Sequence, residues 1–277
     1  MPHEEAPKPT VVYCATGPSR YAREAQQSAL SLRRTNPSVR IALFTDAAPD
    51  HEAPFDVIHR IERPQRSFAD KIAVLRDAPY ERFVFLDGDT YVIGNIAPLF
   101  PLLERFDLAA AHDLLRVSTP LPDLPSSFPE FNTGVIGIRR SASFSKLMDS
   151  WLDLYLRQRA AFGHLPTEDQ PSFRYLLWES DLRFATLTPE WNCMFDAGQG
   201  VTGRVLILHG RSPHLDYVAR RINVARVHPQ SKDLRNRWFK GEGRGLGWVR
   251  RTSRLTFALL RARIIGAGLW REVGRPD

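Results

Sequence analysis

Asp87 and Asp89 flank Gly88 at the end of the apolar run Phe83-Val84-Phe85-Leu86. A run so aromatic and branched suits a strand buried on both faces of a parallel sheet. Carboxylates just past the carboxyl end of such a strand sit where open α/β sheets bind their ligands. Two of them one residue apart can hold a hard divalent ion that carries phosphates, and the intervening glycine permits close backbone approach. A solvated turn is the other reading of Asp-x-Asp, so support must come from elsewhere in the chain.

The surrounding stretch Lys71 to Phe100, KIAVLRDAPYERFVFLDGDTYVIGNIAPLF, resembles the metal-binding segment of GT-A nucleotide-sugar glycosyltransferases, within them the family 8, glycogenin- and galactosyltransferase-like branch. Four further pieces stand in that family's order: Val11 to Thr16, Phe131 to Ile138, Glu168-Asp169-Gln170, and Leu206 to Gly210. The resemblance spans residues 10 to 215. It implies an α/β, Rossmann-like, mostly parallel sheet flanked by helices. The implied activity is metal-dependent transfer of a sugar from a nucleotide-diphosphate sugar, a UDP-sugar first of all, to a glycan or lipid-linked acceptor, with retention of configuration. A divalent ion bridging both phosphates would neutralise the departing diphosphate, and oxygen-rich ligation suits manganese or magnesium.

Carried over residue by residue, the resemblance makes Asp89 and His209 metal ligands and Asp87 a ligand or ribose contact. It places Asp169 and Gln170 on the donor sugar, next to the reacting carbon. Thr16, Tyr21, Lys71, Asn132, Thr133, Gly134, Gly210 and Arg211 fall along the nucleotide-sugar site. Imidazole ligation favours manganese over magnesium. The chain also departs from the pattern. The family's histidine is followed by a glycine, a lysine and Pro-Trp, whereas here Gly210-Arg211-Ser212-Pro213 follows, so Arg211 would clamp phosphate with a guanidinium fork. Thr16 stands where an acidic residue often reads the base, and Pro171 where a third acidic residue is common.

The same residues have plainer readings. Asn132-Thr133-Gly134 also reads as a turn entering a buried strand. Asp169 follows Thr167, a candidate helix cap, and Glu168 and Asp169 could be first-turn charges that complement a helix dipole. Lys71 reads equally as a phosphate contact or a solvated helix charge, and Trp191-Asn192 as acceptor-site lining or as core.

Around these motifs the chain alternates strand and helix. Val11–Ala15, Arg40–Thr45, Phe55–His59 and Arg82–Leu86 read as strands, with helices over Arg20–Arg34 and Phe68–Arg76 between them. Leu108–Ala111, Val135–Ile138 and Leu206–Leu208 read as later strands and Ser143–Arg159 as an amphipathic helix. The proline-rich segment Ser118–Glu130 reads as a long loop. Such βαβ alternation argues for helices on both faces of the sheet. The pattern degrades after Pro213, which divides the chain into a catalytic domain, residues 1–215, and a basic, helical extension, residues 216–277.

Composition narrows the classes. At 277 residues with 43% apolar and 25% charged content, the chain can bury a core of ordinary globular kind. Two cysteines, Cys14 and Cys193, exclude a disulfide framework. No run approaches the roughly 20 apolar residues that cross a bilayer, and the acidic start Met1-Pro2-His3-Glu4-Glu5 is not a signal peptide. A cytoplasmic location, at most peripheral to the inner membrane surface, follows. Residues 201–277 carry 17 Lys/Arg against 5 Asp/Glu, a net of +12, while residues 1–200 have a net of −5. The extension therefore faces an anionic partner or packs as a bland helix; of anionic partners, a membrane carrying a lipid-linked acceptor fits sugar transfer and nucleic acid does not.

Three rivals stay in view. A haloacid-dehalogenase-like phosphatase also pairs aspartates after a strand, but it wants Thr or Val two places past the second Asp, where this chain has Tyr91, and its nucleophile strand opens the fold. A Rossmann dehydrogenase would need Gly-x-Gly-x-x-Gly where Ala15-Thr16-Gly17-Pro18 stands. A binding module for nucleotide or carbohydrate, without turnover, shares every motif.

Overall fold

Along Phe83–Leu86 alternate side chains enter opposite cores: Phe83 and Phe85 pack in one, Val84 and Leu86 in the other, all fully buried. The same alternation holds at Val12 against Val11 and Tyr13, and at Ile136 and Ile138 against Val135. A strand period of two thus feeds two cores at once, which is why these runs read as continuously apolar.

The computed structural model describes residues 8–47, 53–115, 121, 123–162, 168–195, 200–223 and 237–238. The first half is β1 (Thr10–Ala15), α1 (Ser19–Thr35), β2 (Arg40–Thr45), β3 (Val57–Arg60), α2 (Phe68–Asp77), β4 (Arg82–Leu86), β5 (Thr90–Val92), α3 (Leu99–Leu102) and β6 (Leu108–His112). Next come β7 (Phe131–Arg139), α4 (Ala142–Phe162), α5 (Gln170–Trp178), β8 (Phe184–Leu187), a short 3-10 turn (Pro189–Trp191), β9 (Cys193–Met194), β10 (Gly200–Val201), β11 (Ile207–His209), α6 (Leu215–Arg221) and β12 (Arg237–Trp238).

Seven strands form the main sheet in the order β3-β2-β1-β4-β7-β6-β8. All run parallel except β7, which is antiparallel to both β4 and β6. That reversal sends the first residues of β7, not its last, to the carboxyl ends of β4 and β6. One face of the sheet is covered by α2, α4 and α5 through Ile72, Leu75, Leu147, Trp151, Phe173 and Leu177. The other is covered by α1 and α3 through Ala25, Ala29, Leu32 and Leu99. Burying each such Leu, Ile or Phe contributes about 1.5–3 kcal/mol.

A second sheet of three short strands, β5-β11-β9, hangs beyond β4. Its own small core gathers Tyr91, Cys193, Phe195, Val205 and Leu208 with Leu215, Val218 and Ile222 from α6 and its end. Neither Cys14 nor Cys193 is part of a disulfide. No helix among the described residues is long and apolar enough to cross a membrane.

Two local expectations change. Asn132-Thr133-Gly134 is not a turn but the start of β7. Asp169 stands at the head of α5, yet its carboxylate makes no capping bond to the helix. The proposed cap Thr167, and the arginine-rich stretch Gly247 to Arg271, lie outside the described residues.

Candidate active site

The strand order reverses between β1 and β4, and their carboxyl ends open a crevice of the kind where doubly wound sheets bind ligands. Asp87 leaves β4 into a tight turn in which the Thr90 N–H and hydroxyl both donate to the Asp87 carbonyl, at 3.1 and 2.8 Å. The turn delivers Thr90 into β5, which pairs antiparallel with β11 so that Thr90 faces His209. Gly210 N–H donates to the Asp89 carbonyl at 3.0 Å and closes the pairing. Asp89 and His209 are thereby set side by side, with Nε2 of the imidazole 3.4 Å from Asp89 Oδ1.

One ligand atom from each of Asp87, Asp89 and His209 lies within 4.8 Å of the others. Two carboxylate oxygens and an imidazole nitrogen make a donor set that fits manganese, and less selectively magnesium. Two glycines make the cluster possible. A Cβ on Gly88 would meet the backbone N of Ala25 at 3.2 Å, so the turn lies directly against α1. A Cβ on Gly134 would stand 2.2 Å from Cε1 of His209, so the imidazole occupies the space of the missing side chain.

Charge is balanced within the cluster. Burial drives the Asp87 carboxyl up, against the opposing pull of Lys71, while Asp89 adds to the rise. Burial also works against Asp89, but the hydrogen bond and charge of His209, together with Arg211, bring it down to about 2. Burial pulls His209 down, yet Asp89 and then Asp87 outweigh it and hold the ring above its ordinary value.

Lys71 is not a solvated helix charge. It is buried, with Nζ 3.2 Å from Asp87 Oδ2, 3.3 Å from Asp169 Oδ2 and 3.0 Å from Thr133 Oγ1. Thr133 passes its own proton to Asp169 Oδ2 at 2.9 Å. One ammonium thus ties the Asp87 carboxylate to the carboxylate at the head of α5. Desolvation disfavours its charge, but Asp169 and Asp87 together raise its pKa. Removing one member of such a buried set leaves an uncompensated charge and costs about 3–5 kcal/mol.

Beyond Asp169 the site continues through amides. Gln170 Nε2 and Asn132 Nδ2 both donate to Asp113 Oδ2, at 3.2 and 3.0 Å. Asn192 joins Asn132 to His209 from behind. Burial and the nearby carboxylates of Glu130, Asp169 and Asp113 push Glu168 up to about 7, although part of the residue faces solvent.

Arg211 is gripped by Glu24 through two bonds of 2.9 and 3.0 Å, and its third nitrogen lies 3.1 Å from Asp89 Oδ2. Its guanidinium sits 5.9 Å from the centre of the Tyr21 ring, which brings Tyr21, Arg211 and Gly210 to one rim of the crevice. Thr16 lies at the end of β1 and gives its hydroxyl proton to Asp70 at 2.7 Å. The structure therefore gathers Asp87, Asp89, His209, Lys71, Thr133, Gly134, Asn132, Asp169, Gln170 and Arg211 into one connected site. One member escapes the sequence reading. Asp113 follows the carboxyl end of β6, the same signal that marks Asp87. Asn192, read from the sequence as acceptor-site lining or core, is buried and faces Asn132 and His209.

No family model and no curated protein matches the chain. Solved structures do. The glycosyltransferase GlyE of Streptococcus pneumoniae TIGR4 is similar over 94% of this chain at 17% identity, with a TM-score of 0.56; the chain spans 64% of GlyE's length. The galactosyltransferase LgtC, in complex with donor and acceptor sugar analogues, is similar over 90% of this chain and 95% of its own at 14% identity and a TM-score of 0.50. An active-site mutant of LgtC is similar over 74% of this chain and 88% of its own at 15% identity and a TM-score of 0.51. At such identities the likeness is one of architecture, and the chain has the GT-A fold of these glycosyltransferases.

Proposed function

We propose that this protein is a metal-dependent glycosyltransferase that moves a sugar from a UDP-sugar to a glycan or lipid-linked acceptor with retention of configuration. The observation that carries the reading is the convergence of Asp87, Asp89 and His209 at the crevice, joined through Lys71 to Asp169. A divalent ion held there would stabilise the charge that develops on the departing diphosphate. Arg211 and Tyr21 stand on the rim where the phosphates and nucleotide would lie, and Arg211 offers a planar fork to phosphate oxygens. Because the Thr16 proton is committed to Asp70, its oxygen presents lone pairs, which suits an N–H donor such as the imide of uracil.

Asp169 and Gln170 take the donor-sugar side, where Lys71 and Asp113 hold them against the β7 start. The protein's part is then positioning and electrostatic stabilisation while the acceptor attacks from the face the diphosphate leaves. Residues 1–215 form the catalytic domain in this reading. The extension from 216 begins in α6, seated on the small sheet by Val218 and Ile222, and its arginines meet an anionic membrane that carries the acceptor.

Calorimetry of UDP with manganese tests the site. Asp89→Ala and His209→Ala each abolish the metal-dependent tightening while the fold is retained; wild-type affinity in both variants would remove the metal site. Hydrolysis across a panel of sugar nucleotides identifies the donor. Asp169→Asn and Gln170→Ala lower kcat far more than UDP affinity, because their contacts are made to the sugar at the transition state.

A further inference from the structure

Behind the metal cluster runs a set of amides whose orientation is forced from one end. A carboxylate oxygen accepts, so Asn132 must turn Nδ2 toward Asp113 Oδ2, 3.0 Å away. Its second amide hydrogen faces the sulfur of Met194 at 3.5 Å. The Asn132 oxygen then points the other way and accepts from Gly134 N–H at 2.9 Å. Asn192 can meet that oxygen only with its own Nδ2, at 2.8 Å. Its Oδ1 therefore faces Nδ1 of His209 at 2.9 Å, and an amide oxygen can only accept. Both asparagines are buried, at 4% and 1% exposure, so water does not compete for these contacts.

We propose that Asn192 is a positioning residue that fixes the proton of His209 on Nδ1, so that Nε2 presents a bare lone pair to the ion. The inference rests on the metal-site reading above. A neutral imidazole can carry its proton on either nitrogen, and a ring protonated on Nε2 would aim an N–H at the metal. Here the choice is made by Asp113, two residues removed from the ring, and handed on by Asn132 and Asn192 in turn. Gln170 donates to the same Asp113 oxygen at 3.2 Å, so one carboxylate orients both the donor-sugar amide and, through the relay, the metal imidazole.

The test compares Asn192→Leu, which keeps the volume and loses the acceptor, with Asn192→Asp, which keeps the acceptor. Manganese is titrated into the full chain, alone and with UDP, and free ion is followed by electron paramagnetic resonance. Loss of an outer partner typically costs 10- to 100-fold in metal affinity, and that is the drop expected for Asn192→Leu, with Asn192→Asp staying within about threefold of wild type. A second readout is the ring-nitrogen shifts of 15N-histidine in metal-free protein at a pH above the raised value of the ring, where it is neutral and carries one proton, with His209 assigned by its absence in His209→Gln. Wild type and Asn192→Asp should show the proton on Nδ1, and Asn192→Leu a population on Nε2. A wild-type ring protonated on Nε2, an unchanged Asn192→Leu, or equal losses in both variants would overturn the proposal. Should Asn192→Leu not fold, the wild-type ring pattern and Asn192→Asp still decide. His209→Ala separates the two readings: if it keeps manganese affinity the metal site itself is wrong, whereas if it alone loses affinity only the relay falls.

Discussion

At the scale of single residues, Gly134 sets the tightest constraint, because any side chain there would occupy the place of the His209 ring. Gly134→Ala should displace the imidazole, lower manganese affinity about 10- to 100-fold and destabilise the fold by about 1–3 kcal/mol. Metal titration beside urea denaturation separates the two effects; unaltered metal affinity would show that the ring is not where the ion binds. His209 also sets a pH dependence. Its pKa is raised in the fold, so the stability it contributes without metal is fully present below about pH 6.5 and is lost as pH rises through the raised value. A metal must displace that proton, so manganese affinity climbs across the same window. Thermal melts from about pH 6 to 9 should show metal-free stability falling while the increment from manganese grows, and His209→Gln should flatten both slopes. Asp87 and Asp89 were legible in the sequence because an apolar strand announces where its end will lie. Lys71 was ambiguous, since charge on an amphipathic helix does not say which neighbour the ammonium meets. The link from Asn192 to His209 was illegible because its partners come from β7 and β11, which only the folded chain brings together.

Among the elements, the first five strands and helices of the sequence reading recur within about two residues, because their periods are long enough to read. The short strands β5 and β9 have three residues or fewer and show no period at all, whereas β11, equally short, is read within one residue because it ends the apolar run Val205 to Leu208. β7 was read late, from Val135, because Asn132 and Thr133 are polar; they are buried in a strand only because Asp113, Lys71 and Asp169 satisfy them. The small sheet that carries Asp89 and His209 is fastened to α1 by Asn36. Its side chain donates to the Gly94 carbonyl at 3.0 Å and accepts from Ile96 N–H at 2.9 Å, all within the protein. Asn36→Ala strands both backbone groups and should lower stability by about 2–4 kcal/mol in urea denaturation. A change under about 0.5 kcal/mol would mean that water replaces the amide.

On the scale of the whole molecule, charge is divided along the chain: the last 77 residues, 201–277, hold the net +12. Within Gly247 to Arg271, six arginines interleave with nine Leu, Ile, Phe and Trp residues. Each arginine near an anionic surface could contribute about 1 kcal/mol, fading as salt screens it. The full chain should pellet with anionic vesicles at low salt and be released by high salt, while a chain ending at Gly241 stays in the supernatant. Salt-independent pelleting of both, or none by either, would take the membrane out of the account.

The pairing of β5 with β11 joins Asp89 to a residue about 120 positions further along the chain, and an ion shared by the two would act as a cross-link closing that loop. Nucleotide affinity would then be linked to the opening free energy of the small sheet. The amides of Tyr91 and Leu208 should exchange with deuterium more slowly when manganese and UDP are bound, and those of β2, on the far side of the main sheet, should not respond. Product release would be timed by how readily this minor sheet loosens.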